Sequence, residues 1–414
     1  MRRNFNIIIV ILVLFSGLSK TWAADYVEVA GTVRDSKNKK ALENVSVSIA
    51  ETNIGTVTNS DGYFLLKIPA ESIKNGLLAD LIGYQSASFA IPNDEKEMKN
   101  LSLKLTPLGK QLKEIVVLGG EPKEIIASAL KKIPDNYPEN DNLFQGFYRE
   151  TIKKGNRYIS ISEAILDVLK KPYKRRVTDG EKVSIHKGRK LMSPKPADTL
   201  AVKLMGGPYL PLVLDVVKNG DHLFTEEEID YFDFKMLPAT TINNRIHYTI
   251  SFTPKVSLSY PLNSGVFYID SESLTISRVE FELDMKDKTK VTRSILQRKP
   301  AGLSFKPQEV SGLVTYKTVN GKSYLNYISS TIRFKCDWKK RLFSSGYTST
   351  AEMVIVDRED EPDKKLKFND AFGKRKIFSD IVENYWEEDF WKDYNIIEPS
   401  ESLEKAVDKL KITK

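Results

Sequence analysis

The stretch that decides the fold begins with Ala30-Gly-Thr-Val-Arg-Asp35 and continues with Val45-Ser-Val-Ser-Ile49. In the second run, apolar residues alternate with serines, and this two-residue period is typical of a strand with one buried face. A third run, Gly55-Thr-Val-Thr-Asn-Ser-Asp-Gly-Tyr-Phe64, contains the turn dipeptide Asp61-Gly62. Glycine adopts positive φ without a Cβ clash, so this dipeptide indicates a hairpin. Short alternating runs separated by turn residues predict an antiparallel β-sandwich over residues 24–106.

Together with Leu81-Ile-Gly-Tyr84, these landmarks resemble the carboxypeptidase regulatory-like domain over residues 27–105. The resemblance implies a seven-stranded, transthyretin-like antiparallel sandwich that serves as an accessory domain and not as a peptidase. Similar modules precede outer-membrane receptors of the TonB-dependent class, in which a short apolar strand follows, and Glu114-Ile-Val-Val-Leu118 is similar to that strand. The resemblance therefore implies a Gram-negative cell-envelope protein whose expected partners are an outer-membrane receptor, another envelope protein or a glycan.

The N-terminus has the pattern of an export signal. Arg2 and Arg3 precede the unbroken apolar run 7–15, and Thr21-Trp-Ala23 places small residues at the two positions that define cleavage. This pattern predicts a signal peptide over residues 1–23, a mature chain that begins at Ala24, and a periplasmic location, in association with the outer membrane. The apolar run is too short for a permanent transmembrane helix, and no later run is long enough.

Composition excludes some classes of function. The chain has 414 residues and a formal net charge of +8, but its lysines are interleaved with acidic residues, which indicates a solvated basic surface. Export disfavours nucleic acid as a partner. The single cysteine, Cys336, cannot form an internal disulfide, and its alternation with apolar neighbours predicts a buried thiol.

Behind a linker at 107–121, residues 122–414 predict a larger, curved antiparallel β-meander domain with a few helices. A helix is expected from Pro122 to Ile133, a hairpin around Lys154-Gly-Asn156, and a C-terminal helix from Ser400 to Leu410. The segment 170–196 is basic and is expected to be irregular. Strands are expected at 231–240, 245–254, 264–270, 274–284, 289–297, 303–318, 322–337 and 346–357.

Part of this meander, from Tyr248 to Glu280, is similar to periplasmic lipoprotein-carrier-like proteins. The similarity lies in Tyr268-Ile-Asp270, which turns back into Ile276-Ser-Arg-Val279. In that family the sheet curls into a half-open β-barrel around an apolar groove. The resemblance implies an alternative function, a periplasmic carrier of an acyl chain or a lipidated ligand.

Motifs for catalysis are missing from the sequence. His186, His222 and His247 lie in unrelated segments without the paired spacing of a zinc site. No G-x-S-x-G elbow is present, and no cysteine–histidine signature accompanies Cys336. The sequence thus predicts a protein without catalytic residues, metal or cofactor.

Two groups of residues are candidates for binding. Lys174, Arg175 and Arg176 belong to the basic segment and either meet anionic headgroups or acidic glycans or form an exposed loop. Trp386 and Trp391 either stack on sugars or dock a helix on a sheet. Both readings stay open for each group.

Three functions follow from these observations. The first is a non-catalytic cell-envelope protein that binds a glycan or an outer-membrane protein partner through its accessory sandwich. The second is the carrier, which an apolar cavity under the meander favours. The third is an enzyme of unrecognised type, which a pocket with two carboxylates favours. The sequence leaves the oligomeric state open.

Overall fold

The computed structural model describes residues 26–91, 97–108, 119–338, 344–362, 366, 371–373, 376–387 and 394–412. Three sequence-based predictions lie outside these residues: the signal-peptide cleavage site after Ala23, the short strand Glu114–Leu118 and the side chain of Trp391. Among the helices that are described, none combines the length and the apolar character needed to cross a bilayer.

The N-terminal region is a sandwich of two four-stranded sheets. Its strands are β1 (Tyr26–Asp35), β2 (Ser46–Ile49), β3 (Gly55–Val57), β4 (Tyr63–Pro69), β5 (Leu77–Asp80), β6 (Tyr84–Gln85), β7 (Ala87–Phe89) and β8 (Glu97–Pro107). The sheets are ordered β4-β1-β8-β6 and β3-β2-β5-β7. The sandwich is confirmed, with eight strands where the resemblance implied seven. One pairing departs from the antiparallel pattern, since β1 and β8 run parallel.

Apolar side chains from both sheets form the core of the sandwich. Val47 and Ile49 of β2 and Phe64 and Leu66 of β4 are fully buried there. Gly31 lies where β1 approaches β8 most closely, and a Cβ at this position would collide with the carbonyl oxygen of Leu101. The alternating runs therefore form strands as expected, and glycine permits the parallel pairing.

The rest of the chain forms one large antiparallel sheet with short helices. In chain order its elements are α1 (Pro122–Lys131), α2 (Ile133–Asn136), β9 (Asn142–Lys154), β10 (Arg157–Lys170), β11 (Lys182–Met192), β12 (Lys203–Leu204), α3 (Leu210–Leu214), α4 (Gly220–Leu223), β13 (Phe232–Ile242), β14 (Arg245–Pro254), β15 (Asn263–Asp270), β16 (Ile276–Leu283), α5 (Lys288–Ile295), β17 (Leu296–Arg298), β18 (Leu303–Val319), β19 (Lys322–Trp338), β20 (Ser345–Asp360), α6 (Phe378–Ile381), α7 (Glu401–Val407) and β21 (Lys411–Ile412). Eleven strands are ordered β13-β14-β15-β16-β18-β19-β20-β9-β10-β11-β21, and β12 pairs with β17.

The mainly β meander is confirmed, with two local corrections. The segment 170–196, expected to be irregular, contains β11, whose Val183 and Leu191 are buried against β10. Most of the segment 289–297, expected to be a strand, belongs to α5, and the strand β17 begins only at Leu296. The N-cap of α5, Asp287, accepts hydrogen bonds from the backbone of Thr289 and Lys290 at 2.9 and 3.1 Å, so local capping prevails over the apolar alternation.

Apolar side chains fill the space between the large sheet and the helices α1 to α4. At the β13–β15 end this core consists of closely packed rings, among them Phe224, Phe232, Phe252 and Phe267. Lys170 of β10 belongs to a buried ion cluster, in which its Nζ is 2.8 Å from Asp215 Oδ2 and 2.9 Å from Glu181 Oε1. Packed rings thus fill the β13–β15 end of the sheet.

The sandwich packs on the sheet through a segment that we call the strap, residues 394–400. The Asn395 side chain pairs with the backbone of Lys67, accepting from its N–H at 2.7 Å and donating to its carbonyl at 3.1 Å. Thr56 Oγ1 donates to the Ile396 carbonyl at 2.8 Å. The strap also closes a small apolar cluster between sandwich and sheet, which includes Val57, Phe147 and Ile397.

A buried arginine fixes the strap to the centre of the sheet. Arg149 of β9 donates to Glu163 Oε1 of β10 at 2.6 Å and to the Ile397 carbonyl at 2.8 Å. The side chains of Arg149 and Glu163 are 3% and 1% exposed. Arg189 of β11 also donates to Glu163, at 2.6 Å, so this carboxylate is held from two sides.

We expect Arg149→Met to lower the free energy of unfolding by about 3 kcal/mol, because it removes one of the two arginines that balance the buried Glu163 carboxylate and also the donor to the Ile397 carbonyl. Chemical denaturation of the purified protein measures this. The control is Arg333→Met, which removes an exposed ion pair with Glu309 and should cost less than about 1 kcal/mol. Equal losses in the two variants would contradict the prediction.

Candidate functional site

A crevice of about 450 Å³ separates the sandwich from the large sheet, beside the apolar cluster under the strap. Strands β2 and β5 form one wall, and β14 to β16 with β18 and β19 form the other. Most lining groups are polar, and they are Asn44, Ser46, Ser48, Asp80, Asn243, Arg245, His247, Asp270, Ser273, Thr275, Ser277, Arg278, Thr315, Lys317, Thr318 and Asn326.

The wall from the sandwich is built by the strand alternation itself. In β2 the apolar residues point into the sandwich core, so Ser46 and Ser48 point away from it and line the crevice. Asp80, at the end of β5, accepts hydrogen bonds from Ser86 Oγ and, at 3.0 Å, from the backbone N–H of Asn243. Burial raises the pKa of this carboxyl group. Asp80 therefore connects the sandwich to the β13–β14 turn of the sheet.

On the sheet side, His247 and Ser277 form a hydrogen-bonded pair. His247 is 2% exposed, with Nδ1 at 2.8 Å from the Arg245 carbonyl and Nε2 at 2.9 Å from Ser277 Oγ. A carbonyl only accepts, so we assign the proton to Nδ1, and Nε2 then accepts from the serine hydroxyl. Burial lowers the pKa of His247 and favours this neutral form.

A β-bulge places Ser277 in this position. In the β15–β16 pairing, Tyr268 is opposite Arg278 and Ile269 is opposite Ile276, so Ser277 is the extra residue. Bulges redirect a side chain relative to regular pleating. With its proton donated to His247, the Ser277 oxygen presents lone pairs to the crevice as a hydrogen-bond acceptor.

Two of the cations in the sheet wall are neutralised within the wall. Arg245 Nε is 2.6 Å from Asp270 Oδ2, and an Arg278 guanidinium nitrogen is 2.7 Å from Glu280. Asp270 also accepts from the backbone N–H of Ser273 at 2.8 Å. Burial opposes ionisation of Asp270, but the hydrogen bonds from Ser273 and Arg245 outweigh it and lower the pKa. Both Asp270 oxygens are thus already occupied.

The residues proposed from sequence lie elsewhere. Lys174 and Arg175 are exposed and line a separate surface groove with Asp135 and Glu139, outside the crevice. Arg176 turns inward, and its guanidinium donates to the carbonyls at 216 and 217. Burial lowers its pKa.

Trp386, the other described candidate, follows α6 and is partly buried. It does not line the crevice. The structure therefore does not bring the candidate residues together, and their role in binding stays a prediction.

Sequence reasoning missed the crevice for a specific reason. The alternation in β2 predicts only that one face of the strand is buried, whereas in the structure its serines face the second domain. The spacing of His247 in the sequence bears only on a metal site, whereas its partner in the structure is a serine two strands away. The described part of the chain contains no group of three or more His, Cys, Asp or Glu side chains suited to a metal ion.

The neutral state of His247 has a consequence for stability. The unfolded imidazole has a pKa near about 6.5, and the folded value is lower, so the folded state binds the proton less well. This contribution to stability is therefore complete above that pH and is lost as the pH falls towards the folded pKa.

We expect His247→Gln to reduce the loss of unfolding free energy between pH 7 and pH 5, measured by urea titration at each pH. An unchanged loss in the variant would contradict a neutral His247.

Comparison with known proteins supports the assignment of the sandwich. Comparison with curated proteins gives no match. A DUF1329 family protein from Desulfovibrio piger has a TM-score of 0.26 at 10% identity, over 59% of this chain and 96% of that one. A LolA superfamily protein from Nitrosomonas europaea has a TM-score of 0.20 at 12% identity, over 58% of this chain and 97% of that one. Residues 29–117 match the model of the CarboxypepD_reg-like domain family, so the N-terminal sandwich is a carboxypeptidase regulatory-like domain.

Proposed function

We propose that this chain is an exported, non-catalytic cell-envelope protein that binds a glycan in the crevice between its sandwich and its large sheet. The observation that carries the proposal is the crevice itself, a cavity of about 450 Å³ at a domain interface, most of whose lining residues are polar. Ligand sites occur preferentially at such interfaces and typically measure about 300–1,000 Å³. The accessory sandwich supplies one wall, which gives that domain a direct part in binding.

The chemistry of the lining favours a sugar. The hydroxyls of Ser46, Thr275 and Thr315 and the amide of Asn326 both donate and accept hydrogen bonds, as the hydroxyls of a sugar do. A protein partner fits less well, because a stable protein–protein contact buries roughly 800 Å² on each side and the crevice is concave and narrow. An outer-membrane protein partner is therefore the less favoured form of the proposal.

Location in the periplasm is part of the proposal. It is supported by the basic residues Arg2 and Arg3, by the apolar run that follows them, and by the small residues at 21 and 23. A sandwich of this family placed directly behind such a signal is in keeping with an envelope protein. The same compartment contains the glycans that the crevice is proposed to bind.

The third function, an enzyme, receives limited support from the crevice. Two carboxylates line it, Asp80 and Asp270, but hydrogen bonds from neighbouring residues already hold each of them. His247 is oriented by a carbonyl oxygen, where an acid–base pair in a hydrolase more often uses a carboxylate. Binding without catalysis is the simpler use of these groups.

A substitution that fills the crevice with a large side chain tests the proposal. We expect Thr315→Tyr to abolish glycan binding, because the added ring occupies the space between β18 and β2. Binding is screened first on an array of bacterial envelope glycans, and the affinity is then measured by isothermal titration calorimetry. The matched control is Ser304→Tyr, an exposed position on the same strand, which should retain full affinity. Binding that survives Thr315→Tyr, or an array without any bound glycan, would overturn the proposed site.

One observation favours the carrier as a second candidate. A smaller cavity of about 180 Å³ lies between the sheet and the segment 198–210, and Ile152, Ile159, Val202 and Leu204 contribute apolar surface to it. Glu150 lies in its wall and accepts from Tyr148 and from the Gly207 N–H, both at 2.6 Å. The volume is below the usual range for ligand sites of about 300–1,000 Å³, which places the carrier second.

We therefore expect no saturable binding of palmitate or of a fluorescent fatty acid to the detergent-free protein. The measurement is a fluorescence titration at fixed protein concentration. If the probe binds at one molecule per protein and Val202→Trp, which fills the smaller cavity, removes that binding, the carrier function replaces the glycan proposal.

A further inference from the structure

Lys317 is the charged group in the crevice that differs from the others. It lies on β18, and its ammonium group donates to the carbonyl of Thr52, on the turn between β2 and β3, at 3.1 Å. Arg245 and Arg278 each have a carboxylate partner, whereas no carboxylate of the described residues lies within 4.0 Å of Lys317 Nζ. Among the described residues, one carbonyl dipole is thus the partner of this cation.

The surroundings of Lys317 disfavour the charged form of its ammonium group. Two effects lower the pKa of Lys317 to about 8. The larger is burial between the two domains, and the smaller is the positive charge of Arg358. Arg358 lies over the Tyr324 ring and has its own partner in Asp360. Asp80 lines the same crevice, but Ser86 and Asn243 already hold it. A lysine ammonium has three donors, so Lys317 retains the capacity to bind an anion.

We propose that the glycan bound in this crevice is acidic, and that its anionic group pairs with Lys317. The inference rests on the proposed glycan site and names its ligand class, a sugar that carries a carboxylate or a phosphate. The hydroxyl and amide groups of the walls bind the sugar ring, and Lys317 supplies the charge recognition. An anion in this place would offset the repulsion from Arg358 and the loss of solvation on burial.

A competing explanation is that Lys317 only connects β18 to the Thr52 turn. The two roles differ in what they change. A connecting role affects the stability of the protein and acts equally on all ligands. Charge recognition affects the preference for acidic over neutral sugars and depends on the ionic strength. The experiment therefore measures a ratio of affinities and not affinity alone.

The probes are trigalacturonic acid and the neutral trisaccharide of galactose, with galactose 6-phosphate against galactose to compare a phosphate with a carboxylate. Affinities are measured by calorimetry at pH 6.5 in 20 mM and 300 mM salt. We expect the acidic probe of at least one pair to bind at least tenfold more tightly than its neutral counterpart. We expect Lys317→Met to abolish that preference and Lys317→Arg to retain most of it.

Lys335→Met, an exposed lysine on the neighbouring strand β19, is the control and should leave the preference unchanged. Thermal unfolding shows whether each variant is folded, and if Lys317→Met is not, the salt dependence of the wild type and the affinities of Lys317→Arg decide. Equal affinities for acidic and neutral probes overturn the acidic class and leave the glycan site intact. A preference that persists in Lys317→Met overturns the role of Lys317. Absence of binding by all four probes and by the glycan array overturns both proposals.

Discussion

The position of the sandwich on the sheet depends on one buried interaction, the ion pair of Arg149 with Glu163. Arg149 donates to a carboxylate on the neighbouring strand and to a carbonyl of the strap, so one guanidinium connects the β9–β10 hairpin to a segment that is distant in sequence. Its planar geometry suits this task, since several donors are fixed in different directions at once. The strap in turn pairs with the backbone of Lys67 and with Thr56. Besides this chain of contacts, the small apolar cluster at Val57 and the hydrogen bonds at Asp80 and Lys317 fix the orientation of the sandwich.

The crevice is a consequence of how the two domains meet. Apolar residues cover the contact under the strap, while the region beside it is lined by the serines of β2 and by polar groups of β14 to β18. Two polar faces do not exclude water as two apolar faces do, so they remain apart where no direct hydrogen bond connects them. Two hydrogen bonds connect the two faces, one from the Asn243 N–H to Asp80 and one from Lys317 to the Thr52 carbonyl. The interval between these two bridges is the space that a ligand can occupy.

Much of the fold could be predicted from the sequence, because it depends on local patterns. The alternation in β2 and the Asn320-Gly321 turn, where both residues have positive φ of 50° and 78°, define strands and a hairpin without any tertiary information. The candidate site could not be predicted in this way. Alternation shows that one face of β2 is polar, but not that it faces another domain. The pairing of His247 with Ser277 requires the bulge in β16, and a bulge is a property of the strand pairing and not of either strand alone.

The cations of this protein that are removed from solvent differ in how their charge is balanced. Arg149 and Lys170 have carboxylate partners, whereas Lys218 donates to the carbonyls of Pro172 and Arg175. Arg149 and Lys170 lie among carboxylates at 2.6 to 2.9 Å, so their charges are balanced within the folded chain and serve to position its segments. Lys317 is partly buried, and its partner among the described residues is a single carbonyl at 3.1 Å, with a second cation beside it. A cation with a carboxylate partner gains little from binding an anion, because its charge is already neutralised. A buried cation without such a partner is stabilised when an anion binds. Lys317 lies in the wall of the crevice, whereas the ion pairs of Arg149 and Lys170 lie outside it. At this place, a cation without a carboxylate partner among the described residues coincides with a cavity.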